Sequence, residues 1–249
     1  MYKILLFLFF LIHCSSFTIT FNRIFSNNNL LKPVRVFETR NQKLENLDCI
    51  IFFTGASSFI RPDIYSNFLK ELTNNNISVY VPSFRYKNLN YLVKKLKSEY
   101  KNVLMMGHSS GCTYLLNNCK DVNDIILLDG VNTNLFNSTK KYDVKHADNI
   151  LFLYADKSYK FSFDPPGIPF IPFLSISEKN LLYNKMYQTN ALNYGHSDIL
   201  DEEWSNFMHN TRLSVGNKER DNKRYHKIMS KNIKYFINGE YDKILREII

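Results

Sequence analysis

The chain is short of several things, and each shortage removes a class of protein. Of four cysteines, Cys14 stands in the leading segment, and the other three (Cys49, Cys112, Cys119) have no spacing that suggests a zinc site or a disulfide framework. They are expected to be buried thiols. No acid occurs before Glu38. The longest apolar run, Ile4 to Ile12, is too short to cross a bilayer comfortably. There are no internal repeats and no charged low-complexity tracts. Although the net charge is +9, no interleaving of aromatic and basic residues marks a nucleic-acid surface. The charge favours solubility and attraction to anionic surfaces. Basic residues crowd Arg212 to Arg246 with acids between them, the pattern of a solvated helix face.

What is present begins with a secretory-type start. Lys3 precedes the apolar run, and Cys14, Ser15 and Ser16 offer small residues for cleavage before Phe17, so residues 1–16 are expected to be a signal peptide. Residues 17–32 follow as a transit or linker segment, acid-free and rich in Ser, Thr, Asn and Arg. Such a tract behind a signal resembles the bipartite plastid presequences of algae with secondary plastids. Simple secretion remains the alternative.

The remaining length, residues 33–249, suits one α/β domain. Pro33 to Arg40 alternates through Val34 and Val36, as a partly exposed strand does. Cys49 to Phe53 is continuously apolar, which indicates a strand buried on both faces. Asp63 to Asn75 and Leu89 to Tyr100 have helical spacing, with Ile77 to Val81 as a strand between them. Val103 to Met106 enters a third helix, and Asp124 to Leu128 and Ile150 to Ala155 are further strands. Strands alternating with helices predict a mostly parallel central sheet with helices on both faces. Residues 157–192 read as a lid-like insertion. Within it, Lys157 to Ile176 carries Pro165, Pro166, Pro169 and Pro172 among Phe161, Phe163, Phe170 and Phe173. Prolines exclude a regular helix there. The segment is either a cover for an apolar substrate or a stiff surface loop.

The centre of the pattern is Gly107-His108-Ser109-Ser110-Gly111, set between an apolar strand and a helix. A strand turning sharply into a helix leaves no room for a Cβ at the flanking positions and lifts the serine hydroxyl into the open. Ser109 is the candidate nucleophile, and His196, in the late loop Asn193-Tyr194-Gly195-His196, is the candidate base. Two acids end strands downstream. Asp156, after Ile150 to Ala155, is preferred, and Asp129, one strand earlier, is the alternative. The backbone N–H groups of Ser110 and Ala56 are the expected oxyanion donors, Ala56 lying in Thr54-Gly55-Ala56 after the Cys49 to Phe53 strand. Cys112, inside the first helical turn, is expected to be a core residue.

The G-x-S-x-G elbow followed by acid and then histidine resembles the α/β-hydrolase superfamily. That resemblance implies an α/β-hydrolase fold and a carboxylic ester hydrolase working through an acyl-enzyme. It implies neither metal nor organic cofactor; that the small ester substrate is apolar is expected from the Lys157 to Ile176 segment instead. No nucleic acid is expected as a partner; peripheral contact with lipid is left open, as is oligomeric state. Gly107 to Gly111, Leu128-Asp129-Gly130 and Gly195-His196-Ser197-Asp198-Ile199-Leu200, with Asp201 after it, are further similar to the chlorophyllase-type branch, which cleaves the phytyl ester of chlorophylls. Ser110 departs from that branch's arginine, and Thr54 from the histidine common before the oxyanion glycine. In that branch the acid is assigned near Asp129. An acyltransferase or thioesterase on the same residues, or a silent binding protein of the same fold, are the alternatives.

Overall fold

A computed structural model of the chain describes residues 34–38, 43–55, 60–83, 86, 88–132, 140–158, 175–210, 214 and 220–249. The expected signal and transit segments lie outside the described residues, as do Ala56 and residues 159–174.

The chain runs through strands β1 (Val34–Phe37), β2 (Asp48–Phe53), β3 (Ile77–Pro82), β4 (Asn102–His108), β5 (Asp124–Leu128), β6 (Tyr142–Asp143), β7 (Asn149–Ala155), β8 (Leu181–Leu182), β9 (Met186–Ala191) and β10 (Glu247–Ile248). Among the described residues, eight of these form one sheet in the order β1-β3-β2-β4-β5-β7-β9-β10, and β6 pairs with β8 alone. Every pairing in the large sheet is parallel except β1 with β3.

The apolar runs explain the layering. Side chains alternate across a strand, so the odd positions Cys49, Ile51, Phe53, Met105, Ile125 and Leu127 join one core with Leu92, Leu96, Leu115 and Leu116. These last come from helices Leu89–Glu99 and Ser110–Asn118. The even positions Ile50, Phe52, Leu104, Met106, Ile126 and Leu128 join the opposite core with Phe68, Leu72, Met229 and Ile233, from helices Ser66–Asn74 and Asn222–Ile237. A strand covered on both faces has no polar side to show, hence the unbroken apolar runs. This is the mostly parallel sheet with helices on both faces that the alternation predicts, and the arrangement that the α/β-hydrolase resemblance implies.

The basic C-terminal region forms the helix Asn222–Ile237, which buries Tyr225, Met229, Ile233 and Phe236 and leaves Lys223, Arg224, Lys227 and Lys231 exposed. Within residues 157–192, the stretch expected as a lid-like insertion, β9 pairs along its length with β7 and so belongs to the large sheet. Among the described residues, no helix is long and apolar enough to cross a membrane.

Topology locates the crevice. From β2 the chain steps to β3 on one side and then crosses to β4 on the other. Loops leaving the carboxyl ends of β2 and β4 therefore diverge, and in open α/β sheets ligands bind at such a switch point.

Candidate active site

Ser109 follows the last residue of β4, with φ 56° and ψ −129°. A serine in this left-handed region is strained by roughly 1–3 kcal/mol, and such strain persists only where the surroundings enforce it. Here the Ser109 N–H donates to the Leu128 carbonyl at 3.1 Å, while its own carbonyl accepts from Cys112 N–H at 3.1 Å and Val131 N–H at 3.0 Å. The flanking glycines meet the expected steric demand. A Cβ on Gly107 would stand 2.7 Å from the Cys112 nitrogen, and one on Gly111 would stand 2.2 Å from the Phe53 carbonyl oxygen. The first helical turn thus lies against the end of β2, bringing the loop after β2 beside Ser109.

His196 reaches Ser109 from the loop after β9. Its Nε2 is 2.8 Å from Ser109 Oγ, and its Nδ1 hydrogen-bonds the Asp129 carboxylate. A carboxylate can only accept, so Nδ1 carries the proton and Nε2 presents its lone pair to the serine O–H. Asp129 accepts further from the Ser158 hydroxyl and, at 3.4 Å, from the Ala155 N–H. Burial alone would raise its carboxyl, but the His196 charge and these hydrogen bonds outweigh burial and hold it below the usual carboxylate range.

Of the two expected acids, the structure brings Asp129 and not the preferred Asp156 to His196. Register supplies the reason: His108 of β4 pairs with Leu128 of β5, which pairs with Leu153 of β7. Asp129 therefore continues level with Ser109 on the adjacent strand. Asp156 lies one strand further out, where strands are about 4.8 Å apart, and past the end of β7. Its carboxylate pairs with Lys157 at 3.3 Å, and its other oxygen has no hydrogen bond. The chain instead turns back after Asp156 so that Ser158 meets Asp129.

The His196 loop is pinned from below. Asp198 is fully buried, and its carboxylate accepts from Gly195 N–H at 2.7 Å, Ser205 Oγ at 2.5 Å and His209 Nε2 at 2.7 Å. The Arg220 guanidinium stands 2.8 Å away. Asp201 accepts from Asn67 N–H at 2.8 Å, capping an open helix start. Asp198 and Asp201 thus both brace the loop that carries His196.

His108 is buried beside the turn. Its Nδ1 is 2.8 Å from Tyr65 Oη and its Nε2 is 3.1 Å from the His196 carbonyl. Tyr65 Oη also accepts the Gly55 N–H at 3.1 Å. Of the expected oxyanion donors, Ser110 opens the helix after the elbow, whereas Ala56 lies outside the described residues. Cys112 is buried with its thiol 3.1 Å from the Gly107 carbonyl, and burial pushes that thiol far above its ordinary value, which leaves it no nucleophile. Cys49 and Cys119 are buried and unpaired too. Among the described residues, no group of three His, Cys, Asp or Glu side chains could hold a metal ion.

Sequence reasoning missed Tyr65 and Ser158. Tyr65 sits at an apolar position of a helix-like run, and Ser158 follows a strand end by three residues; neither carries a motif, and only the fold brings them to His108 and Asp129.

No family model matches the chain, and no curated protein does. Solved structures are similar in fold. The esterase domain of a Rhodothermus marinus protein is 11% identical, covers 74% of this chain and 93% of its own, and superposes with a TM-score of 0.41. Est1E from Butyrivibrio proteoclasticus is 10% identical over 84% of this chain and 94% of that one, with a TM-score of 0.46. XC6422 from Xanthomonas campestris, described as an α/β serine hydrolase without a lid, is 13% identical over 63% and 78%, with a TM-score of 0.41.

Proposed function

We propose that this chain is a serine hydrolase that cleaves carboxylic esters through an acyl-enzyme on Ser109. The observation that carries the reading is the continuous hydrogen-bonded chain from Ser109 Oγ through His196 to Asp129. In the first step His196 Nε2 takes the Ser109 proton as Oγ attacks the ester carbonyl carbon. The tetrahedral oxyanion accepts hydrogen bonds from the backbone N–H groups of Ser110 and Ala56, each worth about 3 kcal/mol in such sites. Collapse breaks the bond to the alcohol, which leaves with the proton held on His196. Water then gives a proton to His196 as its oxygen attacks the acyl carbon; collapse breaks the bond to Ser109 Oγ, which takes that proton back from His196, and the acid leaves. Asp129 keeps the imidazole in the working tautomer and steadies the imidazolium. This chemistry draws on no metal or organic cofactor.

The substrate class is read as apolar, from the proline- and aromatic-rich stretch between Asp156 and His196, and a chlorophyllase-like phytyl ester is the narrowest form of that reading. A fluorophosphonate probe should label the wild-type protein and leave Ser109→Ala unlabelled; absence of wild-type labelling refutes the enzyme reading. Long-chain esters and a chlorophyll should turn over faster than acetyl esters, and turnover confined to acetyl esters refutes the apolar substrate. Labelling with slow hydrolysis, sped up by an added alcohol or thiol acceptor, would assign the site to acyl transfer instead.

A further inference from the structure

We propose that Tyr65 and His108 are positioning residues, a buried relay that ties the loop after β2 to the loop bearing His196 and holds both against Ser109. The proposal rests on the serine-esterase reading above. The relay's polarity follows from elimination. The Gly55 N–H can only donate, so Tyr65 Oη accepts it. The His196 carbonyl can only accept, so His108 Nε2 carries a proton and donates to it. A neutral His108 then has a bare Nδ1, which accepts the Tyr65 O–H. Tyr65 Oη both accepts and donates, and the donors run Gly55, Tyr65, His108, ending on the His196 carbonyl as acceptor.

The two ends of this chain matter for the chemistry. Gly55 immediately precedes Ala56, the expected oxyanion donor, and its own amide is committed to Tyr65. The far end fixes the backbone of the base itself. Tyr65 closes the 3-10 turn Pro62–Tyr65, and the same turn accepts the Asp201 N–H on the Ile64 carbonyl at 2.7 Å. The segment from β2 to Tyr65 and the loop after β9 are therefore joined twice, once through the Ile64 carbonyl and once through Tyr65 and His108.

Neutrality of His108 is part of the device. Its ring lies 4.9 Å from that of His196, tilted by 31°. A cation there would oppose the imidazolium that His196 must become. Burial, the nearby His196 charge and only partial compensation from Asp129 push His108 down to about 3. The Tyr65 phenol is pushed upward by burial, so it stays protonated.

The test uses the full-length chain. Tyr65→Phe keeps the ring that packs edge-on to Phe52 and removes one oxygen; His108→Leu removes both nitrogens, and His108→Gln restores one donor. Active sites are counted by fluorophosphonate labelling so that misfolded protein does not enter kcat. Tyr65→Phe and His108→Leu should lose roughly ten- to a hundredfold in kcat with KM within about twofold, the scale of a small misplacement of reacting groups. His108→Gln should recover part of that loss. In parallel, 15N-histidine spectra should show His108 as the Nε2–H tautomer without titration above about pH 5. Wild-type kcat in both Tyr65→Phe and His108→Leu, in an enzyme that labels and turns over, overturns the relay alone. An Nδ1–H tautomer, or titration of His108 near its ordinary value, overturns it whatever the activity. A wild type that does not label overturns the esterase reading, and the positioning role with it.

Discussion

Asp129 and Asp156 end neighbouring strands, yet one is hydrogen-bonded to His196 and the other is ion-paired with a lysine. The difference is register. Asp129 adopts φ 46° directly after β5, a left-handed turn that aspartate tolerates better than most residues, and this swings its carboxylate along the rim. Substitution by asparagine separates the two roles. Asp129→Asn keeps the shape but can donate to Nδ1, which favours the wrong tautomer, and kcat should fall by roughly 10⁴. Asp156→Asn should stay within about threefold of wild type in the same ester assay. Equal effects would mean that the register argument has picked the wrong carboxylate. Both acids were visible as strand-terminal residues in the sequence; the choice between them was not, because pairing across strands leaves no mark on local composition.

At the scale of elements, the bend between β4 and the helix Ser110–Asn118 is the best-determined feature of the molecule. Its glycines answer contacts with backbone atoms, which cannot rotate away as a side chain can. Gly111→Ala would force a methyl group onto the Phe53 and Thr54 carbonyls. It should cost about 4 kcal/mol or more, beyond ordinary overpacking because backbone must shift. Urea denaturation would measure this, and a loss under 1 kcal/mol would contradict the packing of this turn against β2. The elbow was readable because its demand is local, five residues long and written in glycine. β9 was not readable. Its sequence Met-Tyr-Gln-Thr-Asn-Ala is half polar; the Thr189 hydroxyl donates to the Leu245 carbonyl, and the Asn190 backbone N–H donates to the Arg246 carbonyl. A strand built around such distant partners looks like a loop until those partners are in place.

For the whole molecule, two buried histidines link stability to pH. His108 is pushed down to about 3 and His226, which donates to the Asp198 carbonyl at 3.1 Å, to about 4, burial being the main cause in both. Below about pH 6.5 the unfolded chain protonates these side chains while the folded protein does not. The unfolded state then binds more protons, so stability falls as pH drops through the window from about 6.5 to 4. Asp129 acts in the same direction lower down: its depressed carboxyl stabilises the fold above the unfolded value near 3.9, and that contribution is lost as pH falls through its lower folded value. Each histidine should contribute on the order of 1 kcal/mol per pH unit. His226→Gln should therefore flatten the urea-midpoint profile between pH 6 and 4.5 by about half, and an unchanged slope would mean that the ring is solvated.

The layered architecture and the sharp turn at Ser109 were determined by the sequence alone, since both depend on short-range physics: side-chain alternation in β2, β4 and β5, and the closeness of backbone to Gly107 and Gly111. The late position of His196 was readable from chain order. The partner of that histidine, the bracing by Asp198 and Asp201, and the run from Gly55 through Tyr65 and His108 were decided only in three dimensions. Each joins residues far apart in the chain whose meeting depends on strand register and loop return. Those are properties of the assembled sheet, and no single segment carries them.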